Sequence, residues 1–285
     1  MSTTAKTLEN IRIETNGRDI ILADIRHFDL AQTLDCGQAF RWTRRNENSN
    51  AFSGIAHGRR LEIEKTEDSI ILKDMSPEEF EALWKAYFDL DRSYESLRKE
   101  LSIDEALKKA LDFSPGLRLL RQDVWETLIS FILSQNSNIP RIKNMISALC
   151  RHFGNELPCG GFAFPTAKAL ASLTAEDLAP IKCGYRASYI IDAARRVHDG
   201  QFNIHELNSR PTGNVRAALL DIHGVGPKVA DCVLLFGFGR TECFPLDVWM
   251  KRVMETMYPD GFPEVLKDSA GIAQQFLFHY VRNSP

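Results

Sequence analysis

Leu219-Leu220-Asp221-Ile222-His223-Gly224-Val225-Gly226-Pro227-Lys228-Val229-Ala230-Asp231-Cys232 is the stretch on which the reading of this chain turns. An apolar helix end runs into Gly224-Val225-Gly226, and Pro227 sits where a new helix takes its first residue. Two glycines allow a tight hairpin and let another group come close to the backbone. The second helix offers that group its unpaired N–H donors and the positive end of its dipole, which together make an anion site. Gly-x-Gly alone favours an ordinary corner between two helices, but two further residues change the balance.

The first is Lys228, just inside an apolar helix marked by Val229, Val233 and Phe236. A cation is disfavoured at a helix N-terminus. That field, with desolvation, is expected to lower the lysine pKa and raise the fraction of free amine. A lysine of that kind is the usual Schiff-base nucleophile. The second is Asp247, which follows Pro245-Leu246 and precedes Val248-Trp249-Met250. Alone it reads as the cap of another helix. Hairpin, lysine and then aspartate spell the pattern of the helix-hairpin-helix DNA glycosylases with lyase activity, whose anion is a DNA phosphate.

Working outward, the 285 residues are 44% hydrophobic and 26% charged, ordinary for a globular chain and enough for two domains. No apolar run approaches the ~18 residues of a membrane span. The N-terminal Met1-Ser2-Thr3-Thr4 has no apolar core, so a secretory signal is not expected. The six cysteines, at 36, 150, 159, 183, 232 and 243, form no C-x-x-C pair. A zinc or iron–sulfur site is therefore not expected, and the thiols read as free and mostly buried. Net charge is −3, but unevenly spread: residues 74–112 carry −5, residues 116–151 carry +3 and residues 168–198 carry +2. Such runs are usually solvated helix faces, although an acidic protein can still present a basic one.

The first third reads as strands. Ile11-x-Ile13, Ile20-Ile21-Leu22, Phe40-x-Trp42, Phe52-x-Gly54-Ile55, Leu61-x-Ile63 and Ile70-Ile71-Leu72 are separated by turn formers such as Asn16-Gly17 and His57-Gly58. From Ser76-Pro77-Glu78-Glu79 the period becomes helical. Val124, Leu128 and Phe131 follow a capping Asp123, and Ile142, Met145, Ile146, Leu149 and Phe153 form a second helix before Gly154. Pro158 to Pro165 is a loop. Helices are expected over 167–173, 187–197 and 214–220. The fold class is α+β: an antiparallel sheet domain with trailing helices over 1–112, then a helical domain over 113–285.

Six further segments, in order, resemble the 8-oxoguanine DNA glycosylase/lyases. They are Leu34-Asp35-Cys36-Gly37-Gln38-Ala39-Phe40-Arg41-Trp42, Tyr87-Phe88-Asp89-Leu90-Asp91, Leu117-Arg118-Leu119-Leu120-Arg121-Gln122-Asp123, Ser134-Gln135-Asn136-Ser137-Asn138-Ile139-Pro140-Arg141-Ile142, Gly184-Tyr185-Arg186-Ala187 and Gly271-Ile272-Ala273-Gln274-Gln275-Phe276-Leu277-Phe278. The resemblance implies a base-excision enzyme that acts on duplex DNA containing 8-oxoguanine opposite cytosine, as a monomer and without a catalytic cofactor.

The same resemblance implies residue roles. Lys228 is the nucleophile and Asp247 stabilises the sugar cation. The Gly37 carbonyl meets the N7–H of 8-oxoguanine. Phe278 and Cys232 sandwich the flipped base, and Gln274 reads its edge. Asn136, Arg141 and Arg186 address the orphaned cytosine, with Tyr185 as a wedge. Gly224 and Gly226 bring the hairpin to a phosphate, and the carbonyls of Leu220, Ile222 and Val225 hold a structural cation.

Simple chemistry agrees with several of these assignments. Gln274 and Phe278 are four apart and share a helix face. Arginine, a pure donor, suits cytosine O2 and N3. Cys232, four after Lys228, reads equally as a buried thiol or as a thiolate paired with the ammonium. His223 replaces a common proline, and Trp249 stands where eukaryotic members have a phosphate-contacting histidine. The latter suggests a bacterial branch and a cytoplasmic site of action. An alkylation-repair glycosylase would lack the lysine. An endonuclease III-like enzyme would need a C-terminal cysteine cluster. A non-catalytic DNA-binding module would have no use for Lys228 with Asp247.

Overall fold

His57 (φ 50°) and Gly58 (φ 70°) both adopt left-handed backbone, as a two-residue hairpin turn of the primed type requires, and Gly17 (φ 65°) opens the turn after Asn16. Such turns build one antiparallel sheet. The computed structural model describes residues 6–8, 11–47 and 49–284. Its seven strands are β1 (Lys6–Leu8), β2 (Ile11–Asn16), β3 (Asp19–Ala23), β4 (Trp42–Arg44), β5 (Ala51–Ala56), β6 (Arg59–Lys65) and β7 (Ser69–Leu72), in the order β1-β2-β3-β7-β6-β5-β4. Alternation fixes the register: Ile20 pairs with Leu72, Leu22 with Ile70, and Ile63 with Leu72. These side chains share one buried face with Leu61, each contributing ~1.5–3 kcal/mol by leaving water. The strand expected at Phe40-x-Trp42 begins only at Trp42, because Gly37 (φ 92°) bends the chain ahead of it. A short helix, Leu30–Leu34, has too few residues to show a period and is set by its cap, Asp29, whose Oδ1 accepts the Gln32 N–H at 3.0 Å.

Contacts divide the chain into two units, one of residues 1–55, 60–121 and 248–285 and one of 56–59 and 122–247. This division differs from a simple boundary at 112/113, since residues 248–285 group with the sheet unit. Its helix Ala270–Asn283 packs on the helix Glu105–Phe113. Ser114 Oγ lies 2.7 Å from His279 Nδ1, Tyr258 OH donates to Asp104 Oδ1 at 2.7 Å, and Ser269 Oγ donates to Glu100 Oε1 at 2.6 Å. An aromatic cluster fills the unit's interior. Trp42 Nε1 donates to Tyr87 OH at 2.7 Å, and Trp84 and Phe88 pack around the pair.

The second unit is helical. Val124–Ser134, buried from Thr127 to Leu133, follows Asp123, whose Oδ1 accepts the Glu126 N–H at 2.8 Å. Ile139–Phe153 follows, with Asn138 as its cap and Pro140 in its first turn. Arg186–His198, Thr212–Leu220 and Pro227–Cys232 complete the frame, and the first two lie within one turn of the expected spans.

Candidate functional site

In the second unit, the hairpin joins Thr212–Leu220 to Pro227–Cys232, which continues as a π turn over Val233–Gly237. The Val225 N–H donates to the Ile222 carbonyl at 3.0 Å and closes the turn. The two glycines serve different needs. Gly224 has φ +81°, and a Cβ there would lie 2.3 Å from the Tyr189 ring, so the fold itself demands glycine. Gly226 is extended (φ −95°, ψ 179°), and a Cβ there would meet nothing within 4 Å. Its spare room faces no atom of the protein, which suits close approach by an outside group. His223 uses what a proline would lack: its N–H donates to Asp192 Oδ2 at 3.0 Å, and its ring stacks edge-on against Tyr189.

Arg216 and Asp231 clamp the two hairpin helices together. The guanidinium reaches both carboxylate oxygens at 2.7 Å. Burial pushes the Asp231 carboxyl up in spite of the arginine. Arg216→Ala would leave that carboxylate buried and unpaired. The expected loss is about 2–3 kcal/mol, below the range for a fully buried pair because the Arg216 side is partly exposed. A raised carboxyl pKa favours the fold most when protonated. The deficit of the variant in thermal unfolding should therefore be largest at neutral pH and shrink as pH falls through the Asp231 pKa.

Lys228 enters from the first turn of Pro227–Cys232. Its Nζ lies 4.8 Å from the Phe131 ring centroid and 3.5 Å from Ser134 Oγ, and among the described residues no carboxylate forms an ion pair with it. Phe131 in turn stacks on Phe236. The ammonium thus rests on an apolar aromatic wall with one hydroxyl beside it and no counter-charge locking it. Cys232 is buried on the same helix, and burial outweighs Lys228 to push its thiol up to about 11. Of its two readings, this favours the buried neutral thiol. Asp247 is half-buried and directly precedes the helix Val248–Met257.

The residues expected around an orphaned base gather in this unit. Asn136 takes a left-handed conformation (φ 45°), and its Nδ2 donates to Tyr185 OH at 3.2 Å. Tyr185 is half exposed, and Arg141 is exposed on the first turn of Ile139–Phe153. Arg186 departs from the expectation. It is buried, and its guanidinium holds the 135–136 turn. Nε donates to the Gln135 carbonyl at 2.9 Å, Nη1 to the Cys183 carbonyl at 3.0 Å, and Nη2 to the carbonyls of Gln135 and of Asn136, the latter at 3.2 Å. Four of the five guanidinium N–H groups are thus committed to the protein. The reason is the turn itself, whose Gln135 and Asn136 carbonyls take their protein hydrogen bonds from this guanidinium. Gln135, which the sequence did not single out, ties this turn to the hairpin: its Nε2 donates to the Gly224 carbonyl at 3.0 Å.

The sheet unit holds Gly37, Gln274 and Phe278. Gly37 has φ +92°, a conformation other residues reach only with strain. Its loop is braced by Gln38, which accepts the Leu120 N–H at 2.9 Å and donates to the Thr33 and Arg118 carbonyls at 2.9 and 2.8 Å. Gln274 is buried on Ala270–Asn283, and Phe278 lies half-buried one turn later, with the Arg282 guanidinium 5.9 Å from its ring centroid. Trp249 is exposed on the first turn of Val248–Met257, with Arg252 5.6 Å from its ring centroid.

Among the described residues no three His, Cys, Asp or Glu side chains gather as a metal site. The hairpin offers backbone oxygens instead. The side chains of Ile222 and Val225 are apolar and buried, so these two residues could offer a cation only their main-chain oxygens. Hard oxygen donors of this kind suit an alkali or alkaline-earth cation. No helix among the described residues is long and apolar enough to cross a membrane.

Residues 20–128 match the family model for the 8-oxoguanine DNA glycosylase N-terminal domain, and residues 129–261 match that for HhH-GPD superfamily base excision DNA repair proteins. The chain is 36% identical over 260 residues to the N-glycosylase/DNA lyase of Saccharomyces cerevisiae, covering 80% of this chain and 68% of that one. It is 30% identical over 265 residues to an N-glycosylase/DNA lyase of Arabidopsis thaliana, covering 88% and 73%. A solved structure of the Clostridium acetobutylicum 8-oxoguanine glycosylase/lyase, in complex with double-stranded DNA containing cytosine opposite 8-oxoG, superposes with a TM-score of 0.88. That structure is 37% identical to this chain, with 95% of this chain and 97% of that one covered.

Proposed function

Since the chain belongs to the N-glycosylase/DNA lyase family of base-excision repair proteins, we propose that it removes 8-oxoguanine opposite cytosine from duplex DNA and then cleaves the strand through a lysine imine. The observation that carries the reading is Lys228, held on the Phe131 ring with Ser134 Oγ beside it and no ion pair among the described residues. With no carboxylate engaging it among the described residues, the side chain is not tied down in an ion pair and is left to reach a substrate carbon, as a nitrogen nucleophile must.

In this mechanism the Lys228 amine forms a bond to C1′ of the lesion nucleotide as the bond to base N9 breaks, and the base leaves with a proton. Asp247 stabilises the positive charge that develops on the sugar. Ring opening at C1′ gives the imine. Loss of a C2′ proton then expels the 3′ phosphate, and water releases the lysine. In the sheet unit, Gly37, Gln274 and Phe278 would contact the flipped base, and an aromatic face is what such a base needs. Asn136, Arg141 and Tyr185 would meet the opposite strand. The hairpin would take a phosphate on the N–H groups beside Gly226, with a structural cation on the carbonyls of Leu220, Ile222 and Val225. In a bacterial cell, the enzyme would act on cytoplasmic, nucleoid-associated DNA. The test is a panel of lesion duplexes incubated with and without borohydride. A covalent adduct formed with 8-oxoguanine opposite cytosine is the expected result, and base release without trapping would refute the imine.

DNA binding should weaken steeply with salt despite the net negative charge, with a slope of ~0.9 per neutralised phosphate. Because a side chain at 226 meets no protein atom, Gly226→Leu should fold normally yet bind every DNA sequence more weakly. Filter binding against undamaged and lesion duplexes checks this, and a loss confined to lesion DNA would remove the hairpin as backbone anchor.

A further inference from the structure

We infer that Gln275, through the thiol of Cys36, is a positioning residue for lesion recognition, holding the helix that carries Gln274 in register with the loop that carries Gly37. The inference rests on the function proposed above, and it assigns work to two side chains that reading leaves idle. Gln275 Nε2 donates to Cys36 Sγ at 3.3 Å, across 239 residues of sequence. Both residues are buried, with 3% of their surface exposed. The sulfur is the one partner of the Gln275 amide nitrogen among the described residues, and a buried amide without a partner is costly.

The neighbouring amide does not compete for the sulfur. Gln38 Nε2 has two hydrogens, which go to the Thr33 and Arg118 carbonyls at 2.9 and 2.8 Å, so its own 3.3 Å approach to Sγ is secondary. The thiol hydrogen of Cys36 points to the Thr33 carbonyl at 3.4 Å, leaving the sulfur lone pairs to accept. Burial pushes the Cys36 thiol up, so it stays neutral and can both donate and accept. Each end of the contact lies one residue from a group assigned to the base, Cys36 beside Gly37 and Gln275 beside Gln274. The spacing between the Gly37 carbonyl and the Gln274 amide is therefore set by a sulfur–amide contact that touches no substrate.

The experiment compares Gln275→Leu, Gln275→Met, Cys36→Ala and Cys36→Ser in three measurements: single-turnover excision of 8-oxoguanine opposite cytosine, cleavage of a preformed abasic site, and thermal unfolding. Abasic-site cleavage needs the lysine but no base recognition. Gln275→Leu and Cys36→Ala should slow excision about tenfold or more while abasic cleavage stays at the wild-type rate. Cys36→Ser keeps an acceptor and should recover most of the excision rate. The double variant Gln275→Leu/Cys36→Ala should be no slower than either single one, as for a shared contact. Gln275→Met conserves volume and replaces Gln275→Leu if the latter unfolds. Wild-type excision by either Gln275 variant would overturn the inference, as would a parallel fall in both activities. A wild-type enzyme that cleaves abasic sites but ignores 8-oxoguanine would instead sink the substrate reading, and the inference with it.

Discussion

Lys228→Gln is expected to fold and to bind lesion DNA, yet to lose base release and imine trapping together, by a factor on the order of 10⁴ or more. Glutamine keeps most of the aliphatic stem of lysine and ends in a neutral polar group, one bond short of the ammonium that lies 3.5 Å from Ser134 Oγ. What disappears is the nucleophilic amine, because the lone pair of an amide nitrogen is delocalised into its carbonyl. Single-turnover excision and borohydride trapping on the same duplex read the two losses. Excision at the normal rate with trapping abolished would mean that water displaces the base and that the lysine acts only afterwards. Normal excision and normal trapping would remove Lys228 from the mechanism.

The second large effect concerns the base opposite the lesion. Wild-type enzyme should strongly prefer cytosine over adenine, because flipping leaves cytosine O2 and N3 without donors, whereas adenine turns an amine toward any arginine. A good directional pair is worth ~1–3 kcal/mol of discrimination. The two arginines should fail differently when removed. Arg141 is exposed, so Arg141→Ala should narrow the preference with trapping and thermal stability unchanged. Arg186 satisfies the carbonyls of Gln135 and Asn136, so Arg186→Ala should lower stability and disturb excision opposite every base. Excision rates on the four opposite-base duplexes separate these outcomes. Equal wild-type rates on all four would end the cytosine reading, and an unchanged preference in Arg141→Ala would remove that side chain from it.

The sheet, the helices and the hairpin were legible because each is written locally, in alternation, in caps such as Asp123 and Asn138, and in Gly224-Val225-Gly226-Pro227. The division into units was not, since nothing in the period of residues 270–283 says which surface that helix will cover. The same limit applies within the site. Phe131 shows in the sequence only as one more apolar position of a helix, and its role as the wall beneath Lys228 depends on a hairpin almost a hundred residues away. Gln135 lies inside a quoted segment, but its bond to the Gly224 carbonyl is a tertiary fact. Arg186 was legible as a donor. Two of the three carbonyls that engage it belong to a turn held by the left-handed Asn136, a conformation no spacing rule announces.

The return of residues 248–285 to the sheet unit bears on how the chain comes to be folded. The helical unit is nearly continuous, over 122–247, and can close as soon as that stretch is available. The sheet unit cannot. Its strands and first helices stand complete in sequence by residue 121, yet the helix that covers Glu105–Phe113 is made only after the whole helical unit. Contacts separated by so much chain form late and slow the overall rate. During synthesis from the N-terminus, the helical unit is therefore expected to reach protection from hydrogen exchange before the sheet unit that precedes it. Cutting the chain just before Val248 should leave a sheet with an exposed apolar flank and a helical unit still able to fold.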